Sequence, residues 1–175
     1  MQDLRELPNK IALYLRESEG SIDQAVSLLE NASSAIFIGR GVSAPLVEEG
    51  ALKMMEVSYL PCIAYPGGEL KHGPIALIEE GTPVIAVAPS CGELALMESS
   101  IRECKARGAK VILITDNEGP IIEFADVILQ TQASIEETST IVNAIPLQLL
   151  AYKLGKIKGL NVDRPRNLAK SVTVV

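Results

Sequence analysis

Five short runs in which apolar residues follow one another without alternating do most to limit what this chain can become: "SSAIFIGRG", "CIAYPGG", "TPVIAVAPS", "AKVILITDN" and "ADVILQT". A strand with one wet face alternates polar and apolar side chains, so an unbroken apolar run must be covered on both faces. The segments between the runs read at helical period. Strands of this kind separated by helices make a parallel sheet between two helical layers. The expected fold is α/β, a doubly wound, three-layer αβα sandwich around a five-stranded parallel sheet. Only 3% of the residues are aromatic against 47% hydrophobic, so Val, Ile, Leu, Ala and Met must fill its core.

The helical segments carry their own signals. From Asp3 to Glu19, Leu4, Leu7, Ile11 and Leu15 recur at spacings of three or four and predict an amphipathic helix that Gly20 ends. Ser21 with Gln24 reads as a capping box opening a second helix to about Leu29. Ala44 to Leu60 is helical in pattern, with Leu52, Met55 and Tyr59 as one stripe and Glu49, Lys53 and Glu56 as a neighbouring one. Ser90 and Glu93 form a capping pair for a helix to Arg107. Ser134 and Glu137 cap a long closing helix bearing Ile141, Ile145, Leu149 and Tyr152, with a bend expected near Pro146. The chain divides into opening helices (1–33), the α/β unit (34–158) and a tail (159–175), one domain overall.

Several function classes are disfavoured. A net charge of -6 gives no footprint for nucleic acid, which needs clustered Lys and Arg. Cys62, Cys91 and Cys104 form no C-x-x-C pair and are odd in number, which points to reduced thiols in a cytoplasmic protein. With one histidine, no metal site is expected, and no cofactor is called for. No apolar run approaches the roughly 20 residues a membrane span needs, and "MQDLRELPNK" does not read as a signal peptide.

In such sheets ligands gather beyond the carboxyl ends of the strands. Three loops fall there: "GRGVS", "GGELKHGP" and "PSCGE". The first is either an anion cradle at a helix start or a tight strand-to-helix turn in which Gly39 and Gly41 serve backbone geometry. The second holds His72, the only histidine, among Gly67, Gly68, Gly73 and Pro74, which break regular structure around it. Glu49, Lys53 and Glu56 share one helical face. On an open surface such a pair contributes about 0.3–0.5 kcal/mol. In a cleft, Glu56 becomes a stronger base and Lys53 can hold its charge, so that Glu56, His72 and the lysines form an acid/base set for chemistry at a carbonyl.

"EGALKMMEVSY", "AYPGGELKHGPIALI" and "DRPRNLAKSVTV" together resemble the sugar-isomerase (SIS) domain at the C-terminal end of the glucosamine-6-phosphate synthase family, and the likeness extends over essentially the whole chain. The resemblance implies a phosphosugar substrate, fructose 6-phosphate or glucosamine 6-phosphate. It makes Glu56 the proton shuttle between C1 and C2 and Lys53 its electrostatic support. It gives His72 to ring opening in a neighbouring subunit's site and Lys170 to ring opening or imine formation, and it sets Glu49, Arg166, Asn167 and Ala169 beside the sugar. A homodimer is implied.

The family pattern is incomplete here. The chain opens Met1-Gln2, with no cysteine at its N-terminus for glutamine hydrolysis, and its "GRGVSAP" loop keeps one hydroxyl, Ser43, where the family's first SIS domain has a Ser/Thr phosphate clamp. The expectation is therefore a piece of a longer protein, needing a first SIS domain and a glutaminase domain as partners and nearly inactive alone. The competing expectation is a non-catalytic, phosphosugar-binding regulatory SIS module, which has no need of Lys170.

Overall fold

The computed structural model describes residues 2–168. Helices α1 (Gln2–Glu17) and α2 (Glu19–Leu29) lead into β1 (Ala35–Gly39), α3 (Ser43–Ser58) and β2 (Cys62–Pro66). Two 3-10 turns at Leu70–His72 and Pro74–Leu77 follow, then β3 (Pro83–Val87), α4 (Leu94–Lys105) and β4 (Lys110–Thr115). A third 3-10 turn at Pro120–Phe124, β5 (Val127–Gln130) and α5 (Glu136–Ile157) complete the order. All strands pair in parallel, in the order β2-β1-β3-β4-β5, with Ile36 opposite Val84 and Ile112 opposite Val127. Every residue of β1 and β3 is buried, as their unalternating sequences require, whereas the edge strands β2 and β5 are partly exposed. The α/β sandwich expected from the sequence is the fold observed.

Successive strand residues point to opposite faces. Phe37, Ile85, Ile112 and Leu129 meet α2, α3 and α5 on one side, while Ile36, Ile38, Val84 and Leu113 meet α4 and the 3-10 turns on the other. Gly50 lets α3 approach α5 closely, since a Cβ there would sit 2.9 Å from Leu147.

Several local expectations are corrected. The break between α1 and α2 falls at Ser18, and Gly20 lies inside α2. Ser21 does not cap: its hydroxyl donates back to the Ser18 carbonyl at 2.9 Å. On α1 the buried positions are Leu7 and Tyr14, with Leu4 and Leu15 exposed. A polar anchor sets this roll: Lys10 Nζ binds Asp3, the Ala133 carbonyl at 2.6 Å and Ser134 Oγ at 3.1 Å, and Thr138 donates to Asp3. Ser134 is thereby engaged with Lys10 and makes no cap bond to α5. At α4, the Ser90 N–H donates to Asp116 at 2.6 Å and Glu93 turns to Arg40 at 3.6 Å, so that pair does not cap either.

The expected stripe on α5 is also the wrong one. Ile141 and Tyr152 are exposed, and Val142, Pro146, Leu147, Leu150, Ala151 and Leu154 face the core. This helix is apolar nearly all round, so spacing alone offers two faces. The choice is made by buried Asn143, whose Oδ1 accepts from Thr131 Oγ1 at 2.9 Å and whose Nδ2 donates to the Ser139 carbonyl at 2.9 Å. On α3, likewise, Leu52 and Met55 are exposed, and Leu46, Val47, Ala51 and Met54 form the core stripe.

Asp126 ties the β4–β5 connection to α4. It accepts from Lys105 Nζ and from the Val111 N–H, both at 2.7 Å. Burial alone would push its carboxyl up, but the Lys105 and Val111 hydrogen bonds override this and hold it below the ordinary carboxylate value. A carboxyl lowered by folding adds stability that is present above its unfolded value and lost as pH falls through the folded one. Asp126→Ala should therefore cost roughly 1–3 kcal/mol at neutral pH. In thermal melts at a series of pH values, that gap should close on acidification through and below the ordinary carboxylate range.

Candidate active site

The turn from β1 into α3 is set by glycine. A Cβ on Gly39 would lie 2.5 Å from the Ser43 carbonyl oxygen, and Gly41 adopts φ +53°. Ser43 is 2% exposed. The "GRGVS" loop is thus a tight strand-to-helix turn whose one hydroxyl-bearing residue, Ser43, is buried. Arg40 leaves this turn to lie over the Gly67-Gly68 peptide, where a Cβ on Gly68 would meet Nη2 at 3.2 Å.

From that turn α3 runs back across the sheet. At about 1.5 Å per residue, its 16 residues carry the chain some 24 Å, from the carboxyl edge of the strands to their amino edge. Glu49, Lys53 and Glu56 ride on it. Lys53 Nζ sits 2.7 Å from Glu56 Oε2 and 3.4 Å from Glu49 Oε1, joining both carboxylates. The hydrogen bond to Glu56 raises the Lys53 pKa above its ordinary value, so the ammonium keeps its charge beside the Glu56 carboxylate.

After α5 the chain turns at Gly159, with φ +68°, and returns along α3. The Arg166 N–H donates to the Tyr59 hydroxyl at 2.7 Å, and the Arg166 guanidinium lies 4.2 Å from the centre of the Tyr59 ring. Arg166, Asn167 and Leu168 then form one wall of a cleft of about 290 Å³ whose other wall is Leu52, Met55, Glu56 and Tyr59. Tyr59 and Asn167 are the only described non-glycine residues with positive φ, at 56° and 60°, and both line this cleft.

Arg166 and Asn167 are therefore brought to Glu56, with Lys53 behind it. Glu49 contacts Lys53 without lining the cleft. Ala169 and Lys170 lie outside the described residues. His72 stands elsewhere: it is exposed at the end of the Leu70–His72 turn, past the carboxyl end of β2, with Leu70 buried beneath it. Glu56 precedes the amino end of β2. The five residues of that strand, at about 3.3 Å each, put on the order of 15 Å between the two edges. Of the expected site residues, His72 lies at the carboxyl ends of the strands and the Glu56 cleft opens at the opposite edge. Tyr59 and Leu168 are site residues that sequence spacing did not single out. Among the described residues no cluster of metal-ligating side chains occurs, and no helix is long and apolar enough to cross a membrane.

A five-stranded parallel sheet in this order, covered by helices on both faces, is the α/β architecture of a sugar-isomerase type of domain. Residues 28–155 match the SIS domain family, and the chain belongs to it. It is 44% identical, over 99% of its length, to the glutamine-fructose-6-phosphate aminotransferase (isomerizing) of Bradyrhizobium diazoefficiens and 43% identical, over 98%, to that of Thermococcus kodakarensis. It spans only 29% and 28% of those two proteins. Among solved structures it is similar to the C-terminal domain of glucosamine-fructose-6-phosphate aminotransferase from Francisella tularensis. The TM-score is 0.84 at 36% identity, covering 93% of this chain and 46% of that one. A sugar-phosphate isomerase homologue from Listeria monocytogenes, at 17% identity and TM-score 0.77, shares the fold.

Proposed function

We propose that this chain is the C-terminal SIS domain of an enzyme that makes glucosamine 6-phosphate from fructose 6-phosphate and ammonia. The observation that carries the reading is the Lys53–Glu56 pair, at 2.7 Å, opening into a cleft whose second wall is the tail. Isomerisation of a ketose imine to an amino-aldose needs one base that removes a proton from C1 and returns it at C2. Glu56 fills that role: it carries the proton as a neutral acid between the two transfers, and the fixed charge of Lys53 stabilises its carboxylate before the first and after the second. The tail, 159–175, brings Arg166, Asn167, Ala169 and Lys170 to the sugar, and Glu49 holds Lys53 from the far side. The relatives' shared name and the likeness along the whole chain support this assignment.

His72, at the opposite edge of the sheet, serves ring opening in the cleft of a second copy, so the working unit is a homodimer. A histidine suits that task because its imidazole can both donate and accept a proton. The phosphate clamp comes from a first SIS domain, since the loop after β1 offers one hydroxyl-bearing residue, Ser43, and that residue is buried, and ammonia comes from a glutaminase domain. The two buried cysteines and exposed Cys91, all free, suit a reducing cytoplasm. The lone, buried Ser43 is also the observation that favours a second reading, a regulatory module that binds phosphosugar without turning it over.

An isomerisation assay on fructose 6-phosphate and glucosamine 6-phosphate separates the two readings. Turnover should be absent from the chain alone and should emerge on adding a separately expressed first SIS domain. Silence in both, with phosphosugar binding intact by calorimetry, would leave the regulatory module standing.

A further inference from the structure

We infer that Tyr59 is a positioning residue, a latch that seats Arg166–Leu168 as the second wall of the Glu56 cleft; this rests on the isomerase reading above. Tyr59 is the C-cap of α3, with left-handed backbone at φ 56° and its N–H bonded to the Met55 carbonyl. Ending a helix this way is a task for glycine or asparagine, because a bulky side chain is strained at that φ. Tyrosine has another use here. Its hydroxyl accepts the Arg166 N–H and its ring face receives the Arg166 guanidinium, so backbone and side chain of one tail residue are held by one side chain.

Among the described residues no other hydrogen bond or ion pair holds Arg166–Leu168. The Asp163 and Arg164 amides bond only to Asn161, three residues away at most, which closes a local turn. Val162 packs against Gly155 on α5 but leaves the direction of the following residues open. The Tyr59–Arg166 contact sets that direction, and it sets it toward Glu56.

Amide exchange of Arg166 by NMR in the 175-residue chain reads the latch directly. Tyr59→Phe keeps the ring and removes the hydroxyl, and should speed Arg166 exchange roughly threefold to tenfold. Tyr59→Gly removes both contacts and should speed it roughly thirtyfold. Because glycine relieves the left-handed strain, its melting temperature should stay equal or rise. In the assay with a first SIS domain, turnover should fall in the order wild type, Phe, Gly while melting temperature does not follow. Unchanged Arg166 exchange in Tyr59→Gly, or turnover that simply tracks melting temperature, overturns the latch. Full turnover in Glu56→Gln would instead sink the isomerase reading and leave the exchange result standing.

Discussion

Glu56→Gln in the assembled enzyme is expected to lose isomerase turnover by about a thousandfold, within the 10²–10⁴ range of general-base catalysis. The glutamine keeps the size and the hydrogen-bonding oxygen of the carboxylate and loses only its ability to take a proton. Lys53 would still have Glu49 at 3.4 Å, so the helix face keeps a partner for its cation. Because Glu56 is partly exposed, its pair with Lys53 is worth about 0–1 kcal/mol to the fold, and the variant should melt almost with the wild type. A second experiment assigns His72. Co-expressed Glu56→Gln and His72→Ala chains, each inactive alone, should recover about a quarter of wild-type activity, since half of random dimers are mixed and each of those has one intact site. No recovery would mean that His72 does not work across the interface, and full turnover by Glu56→Gln would remove Glu56 from the chemistry.

Gly39→Ala is expected to destabilise the chain by about 3 kcal/mol, a fall in melting temperature of about 6–12 °C for a domain of this size. The added Cβ meets the Ser43 carbonyl oxygen at 2.5 Å and its carbon at 2.8 Å. These are backbone atoms of the first turn of α3 and cannot swing aside. Nor can Gly39 retreat, because its carbonyl accepts the Gly67 N–H at 2.8 Å and it sits in register between Pro66 and Val87. Gly41 offers the contrast. Its neighbourhood is open and only its φ of +53° favours glycine, so Gly41→Asn, a residue tolerant of that conformation, should cost under about 1 kcal/mol. Denaturant titrations of the two variants test this, and equal stabilities would mean that the turn relaxes more easily than its packing implies.

The sheet was legible in the sequence because burial on both faces leaves no polar position to alternate, and β1, β3 and β4 announce themselves in five or six residues each. Helix starts were not, because the serines that looked like caps have other partners. The Ser21 hydroxyl donates to the Ser18 carbonyl, the Ser90 hydroxyl accepts from Asn117 Nδ2 at 3.3 Å, and Ser134 is engaged by Lys10, 124 residues away in sequence. The buried face of α5 was hidden for the same kind of reason, its roll being set by Thr131 and Asn143 rather than by apolar spacing. In the site, the Glu49, Lys53 and Glu56 face follows from helical period alone, whereas the roles of Glu56, His72 and Lys170 rested on family resemblance. Tyr59 could not be read locally: its partner arrives 107 residues later, and only the returning tail distinguishes it from an apolar stripe member.

One strand, β2, stands between Glu56 and His72, which lie at opposite edges of the sheet. If, as proposed, the His72 of one copy serves the Glu56 cleft of another, the reaction is a property of pairs of molecules. Dilution that left every chain perfectly folded would extinguish it, and specific activity would rise with the abundance of the protein itself. Expression level, rather than any bound effector, would then act as the first control on flux.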